Sequence, residues 1–169
     1  MPTNFYMIFV AALIPFILGA LWYGPLFGKS WMKVNGFTEE YLAKGNMPLI
    51  FGVSYLFCVM FCLMFSSLVI HQTSVYGLMA PEVAEAGSAI HKDMVQFFEK
   101  YGDRHRTFGH GVAHGLFFSI FIALPMIGVN ALFERRGWKY TMIHWGYWTT
   151  SAILIGGLLC STLTYSSIG

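Results

Sequence analysis

"MPLIFGVSYLFCVMFCLMFSSLVIH", residues 47–71, contains no Asp, Glu, Lys or Arg. At 1.5 Å per residue, a helix of this length crosses the roughly 30 Å of hydrocarbon in a bilayer, and a stretch this apolar reads as a membrane-crossing helix. Three further stretches share its character: residues 4–24, 109–133 and 141–165. The eight acids (Glu39, Glu40, Glu82, Glu85, Asp93, Glu99, Asp103, Glu134) and all ten Lys and Arg lie outside these four. Composition agrees, with 56% hydrophobic residues and only 11% charged ones, where a soluble domain carries about 25% charged. We therefore expect an all-α membrane protein, a bundle of four transmembrane helices forming a single membrane domain over residues 1–169. The first stretch has no basic leader and no small-residue cleavage site, so it is expected to remain as a span.

The loops orient the bundle. Lys29, Lys33 and Lys44 fall in the first loop and Arg135, Arg136 and Lys139 in the third; the longer second loop holds Lys92, Lys100, Arg104 and Arg106 mixed with five acids, and both tails lack Lys and Arg. The positive-inside bias then puts the first and third loops in the cytoplasm and both termini outside, in a bacterial inner membrane. Trp22, Trp31, Trp138, Trp145 and Trp148 all fall near the cytoplasmic ends, as an aromatic belt would. The remaining loop, residues 72–108, lies outside. Its "PEVAEAGSAIHKDMVQFFEKYGD" opens with Pro and acids and sets Ile90, Met94, Phe97, Phe98 and Tyr101 on one side, predicting an amphipathic helix on the outer surface.

Small residues recur every four positions within the spans: Ser54, Cys58, Cys62 and Ser66; Gly111, Gly115, Ser119 and Ala123; Ala152, Gly156, Cys160 and Thr164; and the shorter set Ala11, Pro15 and Gly19. Such ridges let helices approach closely in lipid, where packing drives association. Phe57, Phe61 and Phe65 are expected to point away, to lipid or to a second protomer. The three cysteines, Cys58, Cys62 and Cys160, fit apolar packing rather than a disulfide framework or a zinc finger.

Histidine supplies the candidate chemistry. His110 and His114 are four residues apart and share one helix face at the outer start of the third span, and His71 ends the second span at the same level. His91, His105 and Asp103 lie in the connecting loop and are expected near the same cluster. Imidazoles in this pattern suit a transition metal, or a haem held between His71 and either His110 or His114; the alternative is a set of structural histidines. His144 starts the fourth span and is expected to reach Asn130 or a loop carbonyl.

Several classes are disfavoured. The spans carry none of the Asp, Glu, Lys or Arg residues on which an ion-coupled transporter normally relies, and no P-loop, GxSxG, HExxH or CxxC motif occurs. No nucleophile, base and orienting group fall in one place, so an enzyme is not expected. The few basic residues sit beside membrane ends, which argues against nucleic acid.

"GALWYGPLFGKSWMK" (residues 19–33) followed by Gly36, "HG" at His114 and Gly115, Pro125, "NALFERRGWKY" (residues 130–140), and "GYW" (residues 146–148) followed by Gly156 resemble a family of small bacterial membrane proteins, the domain of unknown function 1761. That resemblance implies an integral membrane protein of about four helices with no established activity. Residues 20–33 otherwise read as a helix leaving the bilayer at Pro25, anchored by Lys29, Trp31 and Lys33. Under the resemblance, Trp22, Tyr23, Lys29 and Trp31 gain a shared cytoplasmic-side binding role with Asn130, Glu134 and the aromatic residues after Arg136.

The leading expectation is thus a non-enzymatic accessory or interaction subunit in the lipid bilayer, as a homodimer or part of a larger membrane complex. The alternative is a membrane protein binding a lipid, quinone, haem or metal. It would use either the outer histidines (His71, His110, His114) or the inner aromatic pocket.

Overall fold

The first apolar stretch is not one straight helix. In a computed structural model, which describes residues 4–164, α1 (Tyr6–Ala12) and α2 (Ile14–Leu21) run on into a wider turn at Trp22–Leu26. Gly24 leaves helical dihedrals there (φ −101°, ψ −107°), just before Pro25, which lacks the N–H a continuing helix needs. Helix resumes as α3 (Gly28–Asn35) and stops at Gly36, whose φ of 70° suits a left-handed C-terminal cap. The stretch at residues 20–33 is therefore a corner between two helices.

Caps set the next boundaries. Thr38 accepts from Tyr41 N at 3.2 Å to start α4 (Glu39–Ala43), and Asn46 accepts from Leu49 N at 3.2 Å to start α5 (Met47–Val69). Beyond α5 come α6 (Gln72–Met79) and α7 (Ala89–Tyr101), the latter capped by Ser88, which accepts from His91 N at 3.0 Å. In α7, Met94 is buried, Ile90, Phe98 and Tyr101 are half-buried, and Phe97 is exposed. Then α8 (Phe108–Phe118), a wider turn at Ser119–Ala123 and α9 (Leu124–Phe133) form one continuous rod, and α10 (Trp138–Thr162) closes the chain. No strand occurs among the described residues.

Among the described residues, three helical stretches are long and apolar enough to cross a membrane: Tyr6–Leu26, Met47–Val69 and Phe108–Phe133, with mean hydropathies of 2.1, 2.3 and 2.2. The expected fourth, residues 141–165, corresponds to α10, whose 25 residues suffice in length but which does not join the apolar set. The reason is its environment. It packs against α1, α2, α5, α8 and α9, so residues such as Thr141 and Ser151 are buried in protein and need not match lipid. Tyr165, the last residue of that expected stretch, lies outside the described residues.

The closest approach is between α8 and α10. A Cβ on Gly111 would collide with the Gly156 carbonyl, one on Gly156 with the Gly111 carbonyl, and one on Gly115 would meet Ala152 O at 2.6 Å. Small-residue ridges form the buried stripes here: Gly111 meets Gly156 and Cys160, Gly115 meets Ala152, the Ser119 and Thr149 hydroxyls meet, and Ala123 is buried as well. On α5, Cys58, Cys62 and Ser66 are buried with them. Phe65 departs from expectation, at 3% exposure. With only hydrogen on Gly156, the Phe65 ring fits beside it, with Cε1 3.1 Å from where a Cβ would stand, and stacks on Phe61 at 5.0 Å. Phe57, by contrast, is exposed as expected.

Both described ends of the chain meet. Asn4 Nδ2 donates to Thr162 O at 2.9 Å, and Thr164 N donates to Asn4 Oδ1 at 2.7 Å. Arg106 donates to Leu163 O at this same end, tying the loop before α8 to the end of α10.

Candidate metal centre

The sequence "GHGVAHG" (residues 109–115) alternates two functions on one helix. His110 and His114 precede Gly111 and Gly115, and adjacent residues on a helix are about 100° apart. Because the glycines are committed to α10, the imidazoles turn to a neighbouring face. Thr107 fixes the start of this helix by accepting from His110 N at 3.2 Å.

His71 arrives from the other side. Ile70, 1% exposed, takes an extended conformation (φ −113°, ψ 92°) that ends α5, and Thr73 Oγ1 donates to Ile70 O at 2.7 Å. Gln72 Nε2 then donates to Gly102 O at 2.6 Å and Arg104 O at 3.1 Å, lashing this corner to the loop that leads into α8. Cys160 Sγ, on α10, donates to His105 O at 3.2 Å in that loop.

The three imidazoles converge through the same atom. Nε2 of His71 lies 3.0 Å from Nε2 of His110 and 3.2 Å from Nε2 of His114, and the latter two are 3.1 Å apart. His71 is exposed and the other two half-buried. In a neutral imidazole each ring nitrogen either donates or accepts, never both. Three nitrogens in a closed triangle therefore cannot all pair, because at least one side joins two donors or two acceptors. A cation that takes three lone pairs satisfies all of them. With metal–nitrogen bonds of about 2.0–2.1 Å, an ion would sit about 1 Å above the triangle with angles of about 100°, close to a tetrahedral face. A porphyrin suits this spacing poorly, since two nitrogens on opposite faces of one iron stand about 4 Å apart, twice such a bond.

The other loop histidines divide. His105 borders the triad, its ring 4.9 Å from that of His110 and 6.3 Å from that of His71. His91 does not join: its Nδ1 lies 3.0 Å from Val83 O, so it braces the start of α7.

At the other end, Trp22, Tyr23 and Trp31 gather around α10. Trp22 Nε1 donates to Ile143 O at 3.0 Å, and Tyr23 OH lies 3.1 Å from His144 Nδ1, with its ring 5.4 Å from that of Trp31. The partner of His144 is thus Tyr23 rather than Asn130. Tyr23 and Trp31 line a cavity of about 560 Å³ with Phe16, Phe51, Cys58 and Tyr147. Lys29, Asn130 and Glu134 are exposed and do not line it, and Glu134 pairs with Arg136 at 3.4 Å. Tyr147, within the "GYW" of residues 146–148, is among the aromatic residues after Arg136 that line this pocket; its hydroxyl donates to Pro15 O at 2.9 Å, a partner that nothing in local spacing signals.

A family model described as "Protein of unknown function (DUF1761)" matches residues 6–160. No curated protein and no solved structure matches the chain.

Proposed function

The chain belongs to the DUF1761 family, and from that premise we propose that it is a membrane-embedded metal-binding protein in which His71, His110 and His114 hold one divalent transition-metal ion of the zinc class. The observation that carries this is the triangle of Nε2 atoms 3.0–3.2 Å apart, which hydrogen bonding alone leaves frustrated. Imidazole donors favour zinc, copper, nickel or iron over magnesium or calcium. Three protein ligands leave a further coordination position, the pattern of reactive rather than purely structural zinc sites.

We place the chain in the inner membrane as a bundle of four transmembrane helices, with α10 as the fourth. The meeting of Asn4 with Thr162 and Thr164 supports an even number of crossings. The Lys and Arg of the first and third loops support termini on the outside, with the metal site on that face and α7 lying amphipathically across it. An accessory or interaction role, in a homodimer or a larger complex, is a compatible proposal that co-purification of a stoichiometric partner would support.

A second reading rests on the inner cavity, whose apolar and aromatic walls suit a lipid tail or a quinone ring. Organic extraction of the purified protein followed by mass spectrometry tests it; absence of any stoichiometric apolar molecule overturns it.

The principal test is zinc titration of metal-stripped protein in a nonionic detergent. Binding of one ion per chain, lost in the double variant His110→Ala, His114→Ala, is expected. Equal binding by that variant would sink the reading.

A further inference from the structure

The triad does not stand alone on the outer face. A cavity of about 310 Å³ abuts it, lined by His71 and His105 on one side, by Phe97, Phe98 and Tyr101 of α7 on another, and by Arg104. Its size is at the lower end of small-molecule pockets. Apart from those two imidazoles, Gln72 and the Arg104 guanidinium, its walls are hydrocarbon and aromatic.

Arg104 is the informative wall. Its guanidinium carbon lies 4.7 Å from the centroid of the Tyr101 ring, a stack that orients the planar fork without consuming its N–H donors. Its backbone carbonyl receives Gln72 Nε2 at 3.1 Å, which fixes the base of the side chain. Among the described residues it takes part in no ion pair. A stacked arginine facing an apolar cavity is a receptor for an anion whose body is hydrophobic, and its N–H groups donate charge-assisted hydrogen bonds to a carboxylate oxygen.

His105 completes the enclosure. Its backbone has φ 62°, a conformation uncommon outside glycine, and its carbonyl is held by Cys160 Sγ at 3.2 Å. This places a second imidazole on the cavity wall, next to the triad but outside the triangle.

Resting on the metal reading above, we infer that the cavity is a binding site for a small hydrophobic carboxylate. One carboxylate oxygen takes the metal's open position beside His71, the second accepts from the Arg104 guanidinium, and the apolar body lies against Phe97, Phe98 and Tyr101. A doubly charged phosphate is a poorer occupant, because the apolar walls would strip it of water while Arg104 is the one Lys or Arg among the lining residues, Lys100 standing over the Tyr101 ring at 5.2 Å outside that lining. The site then recognises an organic acid at the membrane surface, with the metal and the arginine reading one end of the molecule and the aromatic wall the other.

The experiment loads full-length protein in a nonionic detergent with Co(II), whose visible bands report changes in coordination, and titrates benzoate against acetate and inorganic phosphate. Benzoate is expected to alter the bands saturably and more tightly than either acetate or phosphate. In Arg104→Gln, Co(II) stoichiometry should hold while benzoate affinity falls about tenfold or more, the usual scale for losing a charged hydrogen-bond partner. Val75→Phe, which fills the cavity from α6, should abolish the benzoate response and leave the cobalt bands themselves intact.

If Co(II) binds but benzoate leaves the bands unchanged, or acts equally on wild type and Arg104→Gln, or no more tightly than acetate or phosphate, the carboxylate site is overturned and the metal site stands. If Co(II) does not bind stoichiometrically, both fall.

Discussion

At the scale of single residues, the proposed metal site and the helix contact beside it make separable demands. Loss of a partner in the shell around a metal costs about 10–100-fold in affinity, so loss of a ligand should cost at least about a hundredfold. His71→Ala, His110→Ala and His114→Ala are each expected to do this in a competitive zinc titration, whereas His91→Ala, whose ring is engaged by Val83 O, should leave affinity unchanged. Gly111→Leu should destabilise the protein by about 3 kcal/mol or more, since overpacking against a carbonyl has no flexible side chain to absorb it. Gly52→Ala is the counterpart: a Cβ there meets nothing within 4 Å, so a gain of up to about 1 kcal/mol from helix propensity is expected. Thermal unfolding of the two variants in the same detergent checks the pair. The i, i+4 spacing of His110 and His114 was legible in the sequence, because one helical turn is a local matter. The exclusion of His91 and the burial of Phe65 were not, since each depends on what a distant segment leaves open.

At the scale of elements, the proposed ion joins the end of α5 to the first turns of α8. It should therefore act as a staple whose removal loosens that corner. An ion present at a hundred times its dissociation constant stabilises the folded state by about 2.7 kcal/mol. Chelation is thus expected to lower the melting temperature of the wild type and to leave that of the His110→Ala, His114→Ala variant unchanged. A second linkage joins α10 to the wide turn at Ser119–Ala123: Trp145 Nε1 donates to Ser119 O at 3.0 Å, and the Thr149 and Ser119 hydroxyls meet beside it. Trp145→Phe keeps one aromatic ring but removes the N–H donor with the rest of the indole, and should cost about 1 kcal/mol or more in the same melting measurement. The tryptophans thus do more than mark an interface. Their positions near helix ends could be read from the chain, but their acceptors on other helices could not.

At the scale of the whole molecule, the prediction concerns topology. Tags on the two termini should both be accessible from outside intact spheroplasts, and a cysteine replacing Lys29 or Lys139 should react only after the membrane is opened. Termini on opposite faces would mean that α10 does not cross. The sequence by itself determined that the chain is helical, that stretches of it are long and apolar enough to cross a membrane, and which small residues its helices bring together. Each of these is a sum over neighbouring residues: transfer into lipid is counted along a stretch, and a ridge of small residues is counted every four positions. Tertiary structure alone decided that α10 sits against the other helices, where it tolerates Thr141 and Ser151. It also decided that His71 meets imidazoles 39 and 43 residues away. That meeting depends on how closely α8 approaches α10 at Gly111 and Gly156, and on how the chain turns at Ile70. Both are set by contacts between segments remote in sequence, which no local pattern encodes.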